Sequence, residues 1–515
     1  MSYTVGISSG AFGLVEQAEK KNLMTIIGKI FAGGLEGVNF TQVDLESITE
    51  FNEPNLADEI KKIKKLGITF GFHGEFYRGE ERPLEMLDSA IESHYVHSHT
   101  RLIQHIEGCG KIGGVYVNFH PSQSPPFISL GRSFQPTKLV DPWGRPLKKF
   151  LEDNSSLQDW IIEEDKAFIW EFLRITPKRF IEGKESEYTE NYKNQHEGKE
   201  PPSDEKKKIH EKAVKYVKDA FLNEISISDF TYGPERAAYY IIAKWMRDNG
   251  DPLWKSIVGK NIKDEDLPKP DKLKEWVPAV AAKYIWGHFC PNGKEYPDPR
   301  KLLKKYKLRV IFEAEMGAGG TEGMSRFIRP RDMIFLCQAI KSEWVGVCFD
   351  FEHVLSQNID PTKEIETIPY GSAKFIKLCH LGFPTSLVPA HMPIPLGSKE
   401  QVWLYERLFD LRKKGFKDGW LIFERAGAPR EQVILVLRLF KQFLEKDTPP
   451  KELPLEFYGM KPEGPEISRQ EITIKEHALE PLKGMLVIPE EEYTFLSSEA
   501  VRKGKGETWK KEEYR

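Results

Sequence analysis

The sequence predicts a (β/α)8 barrel, an α/β fold in which eight parallel strands alternate with helices. Eight short runs of β-branched and aromatic residues recur along the 515-residue chain, separated by longer amphipathic stretches. Such alternation implies parallel strands joined by right-handed crossovers, and the count of eight favours a closed barrel. A doubly wound open sheet is the structural alternative. It has little support, because no Gly-x-Gly-x-x-Gly motif follows the first strand and no Walker loop occurs.

The predicted strands fall into two groups of four, one near the N-terminus and one in the C-terminal half. They lie at residues 3–8, 37–42, 68–73, 114–120, 308–313, 346–350, 375–380 and 420–424. Amphipathic patterns between them predict helices at residues 57–67, 86–110, 330–342, 399–415 and 430–446. Gly67, Gly108 and Gly415 follow the last turns of three of these helices, as helix C-termini prefer.

The interval between the fourth and fifth strands is far too long for a single crossover. It begins with the proline-rich segment PSQSPPF and contains helical patterns at residues 204–225 and 233–250. We also predict a mobile polar span at residues 183–208. Seven of the eleven tryptophans lie in this interval, which is enough aromatic area for a small core. We therefore predict a mostly helical insertion on a loop at the catalytic face of the barrel.

These patterns divide the chain into four parts. Residues 1–122 form the first half of the barrel, 123–305 the helical insertion, and 306–446 the second half of the barrel. Residues 447–515, rich in proline and glutamate, are predicted to be a C-terminal extension.

The charge balance limits which partners the chain can bind. Its 75 Lys+Arg residues against 78 Asp+Glu residues give a net charge of −3, which excludes a globally basic surface that coats nucleic acid. Binding of nucleic acid would therefore use a local patch or metal ions. The basic runs at residues 61–65 and 300–307 are the best candidates for non-specific DNA contact, although solvated helix faces explain them equally simply.

The remaining composition predicts a cytoplasmic protein with no membrane partner. Five cysteines are scattered without a Cys-x-x-Cys pair, which fits a reducing compartment, and each is interpreted as a small buried hydrophobic residue. No apolar run of membrane-spanning length and no signal-peptide pattern occurs.

Ionisable side chains end every predicted strand from the third to the eighth. These residues are His73, His120, Glu313, Asp350, His380 and Glu424. Two further histidines, His353 and His391, follow the sixth and seventh strands. In a barrel the carboxyl ends of the strands meet at one mouth, so these side chains are expected to converge.

Imidazoles and carboxylates gathered in this way suit Zn²⁺ or Mn²⁺. A carboxylate such as Glu313 can bridge two ions about 3.5–4 Å apart, a geometry that activates water against a phosphodiester. A single such residue is more often an ordinary core or rim residue, so the prediction depends on the unbroken series of strand ends.

The segments that carry these residues resemble the metal-binding segments of a known family. They are VYVNFHPS, VIFEAEMGAG, GVCFDFEH, KLCHLG and LIFERAG. They look like those of the endonuclease IV family of apurinic/apyrimidinic endonucleases, which belongs to the xylose isomerase-like TIM barrels. The resemblance covers roughly residues 1–122 and 306–446 and does not extend to the insertion or the C-terminal extension.

The resemblance implies a cluster of two or three Zn²⁺ ions per chain, with Mn²⁺ as the alternative. One ion would be held by His73, His120 and Glu313. A second would be held by Glu313 together with the residues that end the last three strands: Asp350, His380 and Glu424.

A third ion would be held by His353 and His391, and here the sequence departs from the family. The family has an aspartate two residues before the second histidine, where this chain has Pro389. Proline cannot ligate a metal, so the third ion is expected to be weaker, differently liganded or absent. Glu352 and Glu315 are neighbouring acids, but we do not expect them to substitute.

The segment GEFYR follows His73. In the family the corresponding loop pushes bulky side chains into DNA beside a flipped-out abasic nucleotide. The matching positions here are Phe76 and Tyr77, and Arg78 would neutralise a phosphate. An aromatic pair that caps the barrel rim is an equally good interpretation.

The first functional hypothesis is therefore metal-dependent hydrolysis of a phosphodiester in abasic or otherwise damaged DNA, as in DNA repair. Its catalytic residues would be Glu313, Asp350 and Glu424. The second hypothesis is a sugar isomerase or epimerase on the same barrel, which needs one metal held by the same three carboxylates and His380. The additional histidines of the other two predicted ligand groups favour the hydrolase.

A third possibility is a metal-binding scaffold whose insertion recognises a partner. An insertion over the mouth could close the groove to duplex DNA, or it could bind a branched or single-stranded form through its aromatic residues. Neither the oligomeric state nor a protein partner can be predicted from the sequence.

Overall fold

A computed structural model of the chain describes residues 2–8, 24, 27–28, 37–45, 47–75, 84, 86–122, 138–162, 177–226, 233–293, 296–317, 325–384, 392–424 and 430–460. The chain divides into two compact units. The first, Met1–Glu452, contains the barrel and the helices between its fourth and fifth strands. The second, Leu453–Arg515, is described over residues 453–460, where a short 3-10 helix occupies Leu455–Tyr458.

Eight parallel strands form a closed barrel in the order of the chain, which confirms the predicted fold class. The strands are β1 (Tyr3–Ser8), β2 (Phe40–Asp44), β3 (Thr69–His73), β4 (Tyr116–Phe119), β5 (Arg309–Glu313), β6 (Val345–Asp350), β7 (Ile376–His380) and β8 (Gly419–Phe423). The barrel closes where β1 pairs with β8, with Tyr3 opposite Gly419. Most strand residues are buried, as expected for parallel strands covered on both faces.

The second strand lies further along the chain than predicted. Gly37 adopts a left-handed backbone conformation with φ of 80°, which an extended strand does not use. The strand consequently begins at Phe40 and ends at Asp44 rather than at Gln42. Because successive side chains point to opposite faces, Gln42 and Asp44 both face the barrel interior with Phe40.

The described helices before the insertion and after β5 surround the barrel. They are α1 (Leu56–Lys65) and α2 (Glu92–Ile112), then α11 (Pro330–Ile340), α12 (Phe351–Ser356), α13 (Pro361–Thr367), α14 (Lys399–Lys413) and α15 (Arg430–Glu445). Helices α3 to α10 form the insertion between β4 and β5. They are α3 (Leu147–Asp153), α4 (Ser155–Ile162), α5 (Pro177–Gln195), α6 (Ser203–Ser226), α7 (Gly233–Asp248), α8 (Pro252–Ile257), α9 (Pro270–Phe289) and α10 (Pro299–Tyr306).

Helix α2 differs from its prediction at both ends. Met86 and Ile91 form isolated antiparallel bridges with Ser122 and Leu139, so the helix begins at Glu92 rather than near residue 86. It ends at Ile112, and the C-cap residue Gly113 has a left-handed φ of 78°. Gly108 therefore lies inside the helix and does not terminate it.

The insertion is mostly helical, as predicted, but the polar span at residues 183–208 is not a mobile loop. Most of it belongs to α5 and α6, which pack against each other. Lys184 Nζ lies 4.4 Å from the ring centroid of Tyr216, and Lys212 Nζ lies 4.5 Å from that of Tyr188. Such cation–π contacts allow polar helices to pair, and the low apolar content of the span concealed this.

Three tryptophans of the insertion surround a buried lysine. Lys283 Nζ lies 3.9 Å from the ring centroid of Trp286 and 5.5 Å from those of Trp143 and Trp245. Asp251 Oδ2 accepts a hydrogen bond from the same nitrogen at 2.7 Å. A buried ammonium thus has both a counter-ion and aromatic faces, which compensates for its loss of water.

The lower part of the barrel interior is apolar. The buried cluster there consists of Phe40, Tyr116, Ile311, Cys348, Leu378 and Ile422. The next inward positions towards the carboxyl ends of the strands are polar. The apolar layer therefore forms the floor beneath the mouth, where the strand-end side chains lie.

Candidate metal centre

The strand ends bring the predicted ligands to one mouth. His73, Glu313, Asp350 and His380 are the last residues of β3, β5, β6 and β7. The residues that directly follow β4 and β8 are His120 and Glu424. The side chain of Glu424 retains 12% exposure, whereas the other five strand-end side chains are buried.

His353 returns to the mouth because Asp350 has two roles. Asp350 ends β6 and is also the N-cap of α12, where its Oδ1 accepts a hydrogen bond from the backbone N of His353 at 2.7 Å. A capping carboxylate of this kind fixes the first helical turn. The imidazole of His353 therefore lies 3.3 Å from Glu313, measured from Nδ1 to Oε1.

Within the described parts of the chain, potential ligand atoms form three groups that share Glu313. In each group the atoms lie within 4.8 Å of one another. The groups are His73, His120 and Glu313; Glu313, Cys348 and His380; and Glu313, Asp350, His353 and Glu424. Seven of the eight predicted metal residues are thus brought together, while His391 and Pro389 lie outside the described residues. The predicted DNA-contacting residues Phe76, Tyr77 and Arg78 also lie outside them.

The two oxygens of Glu313 face different partners. Oε1 lies 2.9 Å from Nδ1 of His380, and Oε2 lies 3.7 Å from Nε2 of His73. Asn118 Nδ2 donates a hydrogen bond to Oε2. Burial alone would raise the pKa of Glu313, but His380, His73 and His120 hold it well below its usual range. The carboxylate is therefore ionised and can face two ions at once.

Backbone carbonyls fix the orientation of three histidines. Nδ1 of His73 lies 3.1 Å from the Gly74 carbonyl oxygen, and the Ala314 carbonyl oxygen lies 3.1 Å from Nδ1 of His120 and 2.9 Å from that of His353. A carbonyl oxygen only accepts, so each Nδ1 donates. In the neutral imidazole this leaves the lone pair on Nε2, the arrangement usual for metal-binding histidine.

The carboxylates of the mouth favour the charged form of two of its histidines. Burial lowers the pKa of His73, but the neighbouring Glu313 outweighs this effect and the pKa is raised to about 9. The pKa of His353 is also raised to about 9, because Asp350 and Glu313 outweigh the effect of burial. A buried set of carboxylates and imidazoles that attracts protons in this way also fits divalent cations such as Zn²⁺ or Mn²⁺.

The comparisons with known proteins show no family. No protein-family model matches the sequence, and no curated protein matches it. A D-tagatose 3-epimerase-like protein is 11% identical with a TM-score of 0.39, covering 87% of this chain and 98% of its own. Endonuclease IV from Thermus thermophilus is 13% identical with a TM-score of 0.34, covering 87% of this chain and 100% of its own.

A 3-keto-D-glucoside 4-epimerase from E. coli is 9% identical with a TM-score of 0.36, covering 85% of this chain and 99% of its own. Similarity at this level carries no information about the substrate. The fold class is shown by the closed order of the eight strands.

Among the described helices, none is both long and apolar enough to cross a membrane.

Further polar residues lie at the mouth beside the predicted ligands. Asp44 ends β2 and pairs in register with His73; it was missed because the strand was placed too early. Glu315 Oε2 lies 3.4 Å from Nδ1 of His120. Cys348 is buried, as predicted for the cysteines, but its Sγ lies among the ligand atoms of Glu313 and His380.

The insertion is tied to the loop that carries His120. Ser122, two residues after it, donates a hydrogen bond through Oγ to Asp88 Oδ2 at 2.7 Å. Arg326 Nη2 lies 2.7 Å from Oε2 of Glu235 on α7 and its Nη1 lies 3.8 Å from Asp88 Oδ2. Burial raises the pKa of Asp88 to about 6, although Arg326 opposes this effect. This buried network joins the insertion to the rim beside the candidate metal ligands.

Proposed function

We propose that the chain is a metal-dependent phosphodiester hydrolase that resembles endonuclease IV and acts on abasic or otherwise damaged DNA. The observation that supports this most is the position of Glu313, which is shared by the ligand groups and whose two oxygens face different histidines. Hydrolases of phosphodiesters commonly use two ions about 3.5–4 Å apart with a shared ligand.

In this proposal the strand ends hold two ions, and a third depends on residues outside the described parts of the chain. His73, His120 and Glu313 would hold the first ion. Glu313, Asp350, His380 and Glu424 would hold the second. His353 and His391 would contribute to a third, which Pro389 is expected to weaken. The ions are Zn²⁺, with Mn²⁺ as the alternative.

Bound divalent ions would supply activation of water and neutralisation of phosphoryl charge. The chain's own residues orient the ligands. Glu313 stays ionised among histidines, and the carbonyls of Gly74 and Ala314 direct three imidazoles into the mouth. The apolar floor made by residues such as Phe40 and Ile311 lies below these side chains. Electrostatic interactions are stronger where water is excluded.

The DNA contacts in this proposal rest on the sequence resemblance alone, because the residues that would make them lie outside the described parts of the chain. Phe76 and Tyr77 would act as wedges beside the extruded nucleotide, and Arg78 would contact a phosphate.

A sugar isomerase or epimerase is the second candidate, and one observation favours it. Nδ1 of His380 lies 2.9 Å from Glu313 Oε1, 3.3 Å from Glu424 Oε2 and 3.4 Å from Asp350 Oδ2. This single group contains the three carboxylates and the histidine that one catalytic metal would need. It leaves His73 and His120 without a function in the reaction.

Activity assays on a double variant separate the two candidates. His73→Ala/His120→Ala removes the histidines of the first group only. We expect the wild type to cleave a duplex that contains an abasic site, and the double variant to lose this activity. Epimerisation of a ketose by the wild type, retained in the double variant, would instead establish the single-metal enzyme. Asp350→Asn, which removes a ligand proposed for the second ion, is the matched control because both candidates predict its inactivation.

A further inference from the structure

The polar layer beneath the candidate metal ligands contains a glutamine whose side-chain oxygen contacts both a histidine and a tyrosine. Gln42 lies inside the barrel on β2 and is completely buried. Its side-chain oxygen lies 3.1 Å from Nε2 of His380. The same oxygen accepts a hydrogen bond from the hydroxyl of Tyr116 at 2.8 Å. One group from β4 and one from β7 therefore contact the same side-chain oxygen from β2.

The side-chain nitrogen of Gln42 does not explain why a glutamine occupies this buried position. Among the described residues, the Gln42 side-chain nitrogen is buried without a hydrogen-bond partner. Such a group is unfavourable in an interior, and an apolar side chain of the same volume would avoid it. The residue is therefore better explained by what its oxygen does.

His380 differs from the other three histidines in which group holds each ring nitrogen. Its Nδ1 lies within 3.4 Å of Glu313, Asp350 and Glu424, and its Nε2 faces Gln42. In the other three, a backbone carbonyl holds Nδ1 and leaves Nε2 for a ligand. His380 therefore needs the opposite tautomer, in which Nε2 carries the proton. The side-chain oxygen of Gln42 accepts from this nitrogen, as a backbone carbonyl accepts from Nδ1 in the other three.

We propose that Gln42 is a positioning residue that prepares His380 for metal binding. Its oxygen accepts a hydrogen bond from Nε2–H, which leaves the Nδ1 lone pair directed at the carboxylate group. Tyr116 donates to the same oxygen and thereby fixes which end of the amide faces the imidazole. Hydrogen bonds of this kind determine the tautomer and orientation of metal-binding histidines. This inference rests on the metal site of the proposed function.

The test compares two substitutions of Gln42 in the full-length protein. Gln42→Met keeps the approximate volume and removes the acceptor, whereas Gln42→Glu keeps an acceptor oxygen. Affinity is measured with Zn²⁺ in competition with a chromogenic chelator, and Co²⁺ spectra report the ligand geometry. We expect Gln42→Met to lower the affinity for one Zn²⁺ ion by about 10–100-fold and to shift the Co²⁺ spectrum. Gln42→Glu should bind Zn²⁺ with the wild-type affinity. Tyr116→Phe should lose less Zn²⁺ affinity than Gln42→Met.

The outcomes separate this inference from the proposed function. Wild-type affinity and spectrum in Gln42→Met would overturn the inference alone, as would an equal loss in Gln42→Met and Gln42→Glu, since packing would then be the cause. A wild type that binds no metal would overturn both.

If Gln42→Met does not fold, the wild type itself gives the answer. In Cd²⁺-loaded protein labelled with ¹⁵N-histidine, coupling between the metal and Nδ1 of His380 is expected. Coupling to Nε2 would overturn the inference.

Discussion

The mouth of the barrel and the insertion both bury charge, but they neutralise it with different side chains. In the mouth, the carboxylates of Glu313 and Asp350 face imidazoles such as His380. In and beside the insertion, Lys283 pairs with Asp251 and Arg326 with Glu235, each at 2.7 Å. An imidazole can release its proton and bind a metal, whereas a lysine or arginine in a close ion pair keeps its charge.

The difference indicates separate purposes. The insertion pairs are permanent and stabilise the packing of helices. Under the proposed function, the mouth exchanges protons for divalent ions. A substitution in the mouth should therefore reduce metal binding and activity more than stability, and a substitution in the insertion should do the reverse.

The largest effect is expected for Glu313→Gln. Loss of the shared carboxylate should reduce turnover on the order of 1,000-fold or more, because both ligand groups lose charge. Circular dichroism should show an unchanged fold. Glu315→Gln is the matched control at the rim, outside the three ligand groups, and should keep the wild-type metal content. Unchanged turnover in Glu313→Gln would exclude its assignment as a bridging ligand.

Breaking a pair of the insertion should mainly affect stability. Arg326→Met leaves the buried carboxylate of Glu235 without its cation, which typically costs about 3–5 kcal/mol. Denaturant unfolding of the metal-free protein measures this cost. Glu313→Gln should cost much less in the same experiment. Equal destabilisation by the two variants would remove the distinction between the two regions.

The contact between the insertion and α2 should respond to acid. Burial lowers the pKa of His99 to about 4, and that of His288 on α9 is lowered too. Their Nδ1 atoms lie 3.2 Å apart. Because the unfolded chain binds these protons more readily, the stability present above pH about 6.5 should be lost as the pH falls towards 4, by about 3 kcal/mol for His99.

The His99→Gln variant isolates this effect. Its unfolding free energy should depend less on pH than that of the wild type over the same interval. Acids such as Asp88, whose pKa is raised to about 6, titrate in both proteins and cancel in the difference. Identical slopes would show that His99 is not the group that titrates.

The smallest effect is expected at the third metal site. Pro389→Asp restores the residue type that the resemblance implies two positions before His391, and it should add one bound ion without changing the first two. Metal analysis of the variant measures this. An unchanged metal count would mean that the site is closed for another reason.

The sequence predicted most of the barrel and the residues at its mouth. Strand patterns are local, so His73, Glu313, Asp350 and His380 were correctly placed at strand ends. Asp44 was missed because the left-handed backbone at Gly37 delays β2. Patterns of apolar residues do not show such a shift.

Contacts between distant segments could not be read from local patterns. Gln42 and Asn118 are ordinary polar residues within strands, and only the closed barrel places them beside His380 and Glu313. Met86 and Ile91 continue the periodicity of α2, yet they bridge to Ser122 and Leu139 instead. Their conformation depends on partners far along the chain.

The most direct test of the central claim is the metal content of protein purified without chelator, measured by mass spectrometry. The wild type should contain two or three zinc or manganese ions per chain, and His73→Ala/His120→Ala should contain one fewer. A single ion in the wild type that the double variant retains would contradict the shared-carboxylate centre.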